Sequence, residues 1–158
     1  MTTTTTAAKP SFVYVTFIAT TMERVWQALI DPAVMREYWI GSSGPARVNI
    51  SDWEIGSRWE HTRVDESRQV DIAGTVVELT PPTRMVLSWA RPGEVDEAAK
   101  HSLVTFDLAP QGQVVKLTVT HSDLEKDPDM LKGVSGGWPQ ILSNLKTLLE
   151  TGKALQLR

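Results

Sequence analysis

The sequence predicts an α+β domain in which a curved antiparallel sheet wraps around a long C-terminal helix, and three observations predict it. Trp138, Ile141, Leu142, Leu145, Leu148 and Leu149 form one wide apolar stripe at helical spacing near the end of the chain. Ahead of it lies a run of strand-like segments, two of which alternate cleanly between apolar and polar residues. With 158 residues the chain is about one domain. A sheet with one apolar face must cover that face, and only the final helix is long enough to do so.

Each element has its own signal. Residues 12–18 read FVYVTFI, β-branched and aromatic, and predict the first strand. Thr20 and Glu23 have capping-box spacing, with Thr20 as N-cap. Met22, Val25, Trp26, Leu29 and Ile30 then give a short helix with one apolar face. Asp31-Pro32 is an N-cap followed by a first-turn proline, so a second short helix runs to about Trp39. The segment 41–45, Gly-Ser-Ser-Gly-Pro, ends it.

Six further strands are expected over residues 47–50, 57–63, 70–79, 84–91, 102–108 and 114–121. Val104, Phe106 and Leu108 alternate with Thr105 and Asp107, as Val115, Leu117 and Val119 do with Lys116 and Thr118. This is the pattern of a sheet with one packed and one wet face. Pro110-Gln111-Gly112-Gln113 between them has hairpin chemistry. Asp127-Pro128 is a possible early start for the last helix, which would place Gly136, Gly137 and Pro139 inside it and bend it. Gly152 closes it. The expected organisation is a Thr-rich leader over 1–9, one domain over 10–152 and a tail over 153–158.

Composition removes several function classes. A net charge of −3 with both signs interspersed gives no basic stripe for nucleic acid and no attraction to an anionic membrane. Without cysteine there is no disulfide, thiolate metal site or cysteine nucleophile. The N-terminus lacks the layout of a secretory signal and no apolar run approaches a membrane span, so a cytoplasmic location is expected. His61, His101 and His121 are scattered, with no metal-ligand spacing, and no metal or cofactor is expected. There is no phosphate loop, nucleophile elbow or zinc-binding histidine pair. Glu54, Glu60 and Glu78 could serve as carboxylate bases but have no evident partner, and Glu60 and Glu78 read as wet-face residues.

Five stretches, taken in order, resemble a known family: residues 25–29 (VWQAL), 56–59 (GSRW), 74–79 (GTVVEL) with Pro81-Pro82, 104–108 (VTFDL) and 137–142 (GWPQIL). Over residues 12–149 the chain is similar to the START-like (SRPBCC) superfamily, in the branch similar to the C-terminal domain of the heat-shock-protein-90 ATPase activator. The resemblance implies a helix-grip fold and a link to stress response. It implies no shared catalytic residue. In the eukaryotic activator a separate N-terminal domain makes much of the chaperone contact. Here about ten residues precede the first strand, so the chain is expected not to stimulate the chaperone ATPase alone.

A strongly bent sheet closing on one helix encloses more volume than side chains readily fill, which favours an apolar pocket. Among the six tryptophans, Trp26 belongs with the core beside Leu29. Trp59, Trp89 and Trp138 lie on two strands and on the closing helix, and read either as core or as pocket lining with N–H groups that need partners. His61 follows Trp59 by two residues and shares its face. It is either a satisfied, partly exposed histidine or a polar group that orients a ligand or moves a proton. Trp39 and Leu142 complete the expected lining. The leading expectation is therefore the binding of an apolar or aromatic small molecule between sheet and helix. The alternatives are a co-chaperone-like protein partner on the outer surface, and a cyclase- or hydrolase-like enzyme using His61 in the same cavity.

Overall fold

A computed structural model describes residues 11–157. The leader expected over residues 1–9 lies outside the described residues. Strand β1 (Phe12–Ile18) is followed by helices α1 (Met22–Ile30) and α2 (Pro32–Tyr38). Strands β2 (Arg47–Ser51), β3 (Arg58–Arg63), β4 (Val70–Thr80), β5 (Arg84–Trp89), β6 (Ser102–Gln111) and β7 (Val114–Ser122) come next, and helix α3 (Pro128–Thr151) ends the fold. The strands form one antiparallel sheet in the order β1-β7-β6-β5-β4-β3-β2. Sequence neighbours are thus spatial neighbours, except that β1 closes against β7. The helix-grip architecture expected from the sequence is present.

The packed face follows the predicted alternation. Val104, Phe106 and Leu108 on β6 and Val115, Leu117 and Val119 on β7 are buried. They meet Trp138, Ile141, Leu142, Leu145, Leu148 and Leu149 of α3 in one core cluster, which also takes in Trp26 and Leu29 of α1. Asp127 caps α3 by accepting from the Met130 N–H at 3.0 Å, so the helix does start at the early signal. Gly152, at φ 82°, ends it in the left-handed conformation. At α1 the cap is Thr21 rather than Thr20: the Thr21 hydroxyl accepts from the Arg24 N–H at 3.3 Å. The Thr20 hydroxyl instead accepts from the Arg24 guanidinium, so Glu23 does not stand at the reciprocal position of a capping box. Asp31 caps α2 as expected, accepting from the Ala33 N–H at 2.9 Å.

Two features of the sheet shape the site. Gly74, on β4, lies opposite Trp59 on β3, and a Cβ on it would stand 2.0 Å from the Ser88 carbonyl oxygen of β5. Only glycine allows that approach. The ladder opens between the Ala73–Ala90 bridge and the Val76–Leu87 pair. There the Trp59 indole N–H donates to the Ser88 carbonyl at 2.8 Å and the Thr75 N–H to the Ser88 hydroxyl at 2.8 Å. Side-chain bonds replace backbone ones at this opening.

At the far end Asn144 of α3, fully buried, donates to the Tyr38 carbonyl at 2.8 Å and accepts from the Leu155 N–H at 2.6 Å. Leu155, in the segment expected as the C-terminal tail, is thus hydrogen-bonded to the helix that precedes it.

Candidate functional site

A pocket of about 320 Å³ opens between the residue after α2, the strands β2 to β5 and the first half of α3. Its inner wall is aromatic: Trp39 just after α2, His61 on β3, Trp89 at the end of β5 and Trp138 on α3. Ring centroids are 5.0 Å apart for Trp39–His61, 5.7 Å for Trp39–Trp138, 5.7 Å for Trp89–Trp138 and 6.1 Å for His61–Trp89. Aromatic pairs at such spacing gain about 0.5–1.5 kcal/mol each beyond area burial, so the wall is held in shape without a ligand.

The structure brings together four of the six residues expected to line the cavity. Trp59 and Leu142 stand behind the wall instead. Trp59 has no exposed surface, spends its N–H on Ser88 and backs Trp89 at 5.3 Å. Leu142 is buried in the central core, on the α3 stripe but one position beyond the pocket-lining Ile141. The core and pocket readings of the tryptophans therefore divide: Trp59 is core, whereas Trp89 and Trp138 are both core-packed and pocket-lining.

Behind the wall runs a relay of hydrogen bonds. The Trp138 indole N–H donates to Nδ1 of His121 at 3.2 Å. Nδ1 is thus the bare nitrogen, and Nε2–H donates to the Ser102 hydroxyl at 2.8 Å. That hydroxyl donates to the Trp89 carbonyl at 3.3 Å. Burial drives the His121 pKa down to about 3, so the ring is neutral. The polarity of this relay excludes a serine nucleophile, because Nε2 already carries a proton and cannot take one from Ser102. It is a strut between two pocket walls.

His61 is different. Only 6% exposed, it meets the Asn49 side-chain oxygen with Nδ1 at 2.7 Å. The carbonyl oxygen requires a proton on Nδ1, which leaves the Nε2 lone pair without a partner among the described residues. Burial lowers its pKa to about 4, with Arg47 pushing the same way and Asp71 opposing. At neutral pH His61 therefore presents an acceptor. Trp89 supplies a complementary feature: its Nε1 is the one buried side-chain nitrogen or oxygen without a partner among the described residues. An unmade bond of this kind costs about 1–3 kcal/mol.

The mouth is charged. Asp71 bridges Arg47 and Arg63, at 2.9 Å from each Nε. Burial raises the Asp71 pKa, but hydrogen bonds from Arg63 and Arg47 outweigh it and hold the carboxyl below its usual range. Across the mouth, Arg91 pairs with Asp127, and Asp129 and Met130 lie beside it in the first turn of α3. Gly133 and Gly137, one turn apart on α3, form the helix side, and a Cβ on either meets nothing within 4 Å.

Sequence reasoning missed Asn49, the arginine rim and these glycines. Asn49 sits directly across from His61 in the β2–β3 register, which no sequence pattern reveals. The glycines did carry a signal. Each costs a helix about 1 kcal/mol relative to alanine, so Gly133 and Gly137 one turn apart ask for a reason, and the pocket beside the helix is one. Among the described residues no cluster of histidine and carboxylate side chains could hold a metal, and no helix is long and apolar enough to cross a membrane.

The sheet, the enclosed helix and the pocket between them define a START-like helix-grip protein. The chain belongs to the family of Activator of Hsp90 ATPase homolog 1-like proteins, whose pattern it matches over residues 19–150. Among curated proteins none matches at a significant level. Solved structures with the same fold include a protein from Cytophaga hutchinsonii, 24% identical over 91% of this chain and 96% of that one, with a TM-score of 0.70. The Aha1 dimer from Colwellia psychrerythraea is similar at 20% identity over 92% and 99%, with a TM-score of 0.72. An HSP90 activator from Plasmodium falciparum is similar at 22% identity over 88% and 95%, with a TM-score of 0.65.

Proposed function

We propose that the chain binds a small, flat, largely apolar or aromatic molecule in the pocket between Trp39, His61, Trp89 and Trp138. The observation that carries this reading is the pairing of an aromatic wall with two unanswered polar atoms, the donor Trp89 Nε1 and the acceptor His61 Nε2. Such a combination of an apolar surface with a few polar groups suits orientation of a ligand. The volume stands at the low end of small-molecule sites, which favours a compact ring system over a long acyl chain. Burying about 300 Å² of ligand at 25 cal/mol per Å² contributes several kcal/mol before association costs. Micromolar affinity follows, with more where Trp89 Nε1 is satisfied. Native mass spectrometry of the freshly purified protein tests the reading. A retained small molecule, or a melting-temperature rise with a flat aromatic panel, supports it; no ligand and no shift across the panel contradicts it.

Two observations bear on catalysis. The partner of His61 is an amide rather than a carboxylate, and a pKa near 4 makes it a weak base at neutral pH. Both favour binding over a cyclase- or hydrolase-like reaction.

A protein-partner role on the outer surface is the second reading. It is favoured by Val13, Val15 and Phe17, which alternate along edge strand β1 and are all exposed. The similar Plasmodium falciparum protein is an HSP90 activator, and 95% of its chain is covered by this one. A chaperone ATPase assay with the purified chain discriminates: the binding reading expects no stimulation by the chain alone, and several-fold stimulation moves the partner reading ahead.

A further inference from the structure

We infer that the ligand of this pocket carries a carboxylate, with its ring system on the indole wall and its anionic head on Arg63. This rests on the small-molecule reading above and narrows it to aromatic or alicyclic acids.

The charged groups at the mouth are unevenly distributed. On the strand side two guanidiniums, Arg47 and Arg63, share the single carboxylate of Asp71. Among the groups that line the pocket one positive charge is left over there, while Asp65, which also acts on Arg63, lies outside it. On the helix side Arg91 is neutralised by Asp127, and Asp129 adds a negative charge. The mouth is therefore polarised, positive toward β3 and negative toward α3. An anionic head is favoured on one side only, while its ring is confined to the middle.

The geometry at Arg63 is specific. Its Nε donates to both oxygens of Asp71, at 3.2 Å and 2.9 Å. Among the described residues no hydrogen bond involves either of its terminal nitrogens. A guanidinium anchored through Nε keeps its outer edge fixed and its two Nη groups free, which is the edge that grips a carboxylate in a two-point contact. Arg47 is more fully used, since it also donates to the Pro45 carbonyl at 3.3 Å. The Arg63 side chain is about one-third exposed, so an incoming anion loses little water to reach it. His61 lies two residues before Arg63 on the same strand, and both line the pocket. A carboxylate on Arg63 therefore leaves its attached ring over His61 and Trp89. The field there already favours anions: Arg47 lowers the His61 pKa more than Asp71 raises it.

A matched pair of probes tests this. Naphthoate and naphthamide share ring and shape and differ in charge. Each is titrated by tryptophan fluorescence into the wild-type chain, Arg63→Gln and Arg58→Gln. The last removes the same charge from an exposed strand residue outside the pocket. The inference expects naphthoate to bind about tenfold more tightly than naphthamide, with a preference that fades as salt rises. It expects Arg63→Gln to abolish the preference through loss of naphthoate affinity, and Arg58→Gln to retain it. Equal binding of the two probes to the wild type overturns the carboxylate inference and leaves the pocket reading standing. A preference that survives in Arg63→Gln overturns the assignment to that residue. Failure of both probes to bind overturns the pocket reading and this inference with it.

Discussion

The indole N–H of Trp138 donates to Nδ1 of His121 at 3.2 Å, and this one bond sets the direction of the relay behind the pocket. It places the proton of His121 on Nε2, turns the Ser102 hydroxyl toward the Trp89 carbonyl, and ties α3 to β5 through β7 and β6. Trp138 is thus fastened from behind through its indole and Trp89 through its backbone carbonyl, as well as packed side by side.

Trp138→Phe is therefore expected to cost about 1–3 kcal/mol. The ring volume is largely kept, but His121 Nδ1 is left bare in a buried site. A lower urea midpoint with an unchanged m-value checks this. No loss of stability would mean that the relay is incidental to the wall.

Acid should destabilise the protein in a defined window. His61 and His121 hold pKa values of about 4 and 3 when folded, against about 6.5 when unfolded. Below about pH 6.5 the unfolded chain takes up protons that the native state refuses, so stability falls as pH drops and is fully present above that value. The combined effect is on the order of several kcal/mol by about pH 4. Urea midpoints from pH 7 to 4 measure it. His61→Gln should make the slope shallower, and an identical slope would show that His61 is not held neutral.

Gly74→Ala should be severe, with a loss on the order of 4 kcal/mol. Its Cβ meets a backbone oxygen at 2.0 Å, and a backbone atom of a sheet cannot swing aside as a side chain can. A near-normal melting temperature would show that the Trp59–Ser88 crossing has slack.

Asn144→Ala should cost about 2–3 kcal/mol, since it leaves the buried Tyr38 carbonyl unpaired and frees the chain at Leu155. Hydrogen exchange at Leu155 should rise sharply. Exchange as slow as in the wild type would contradict the tie between the chain end and α3.

How much of this was legible depends on whether a feature is local. The α3 stripe and the β6–β7 alternation follow from side-chain period, and period survives in the sequence. Thr20 and Thr21 show the limit of local signals: two adjacent residues can each cap, and one hydrogen bond to the Arg24 N–H decides between them. Trp39, His61, Trp89 and Trp138 stand out in the sequence as large rings on or beside the elements that close the cavity. That Trp59 backs the wall depends on its crossing over Gly74 to Ser88, a relationship across three strands. The His61–Asn49 pair and the Asp71 bridge depend on register, which pattern alone does not encode.

The central claim is that the space beside Gly133 and Gly137 receives a ligand. The most direct test is a fluorescence titration of naphthoate into the wild type and Gly133→Leu. Gly133 lines the pocket and a Cβ on it meets no atom within 4 Å, so a leucine has room there and removes a helix-weakening glycine worth about 1 kcal/mol. The account predicts a variant at least as stable as the wild type whose affinity has fallen more than tenfold. Equal affinity in the two proteins, at equal or higher stability, would contradict it.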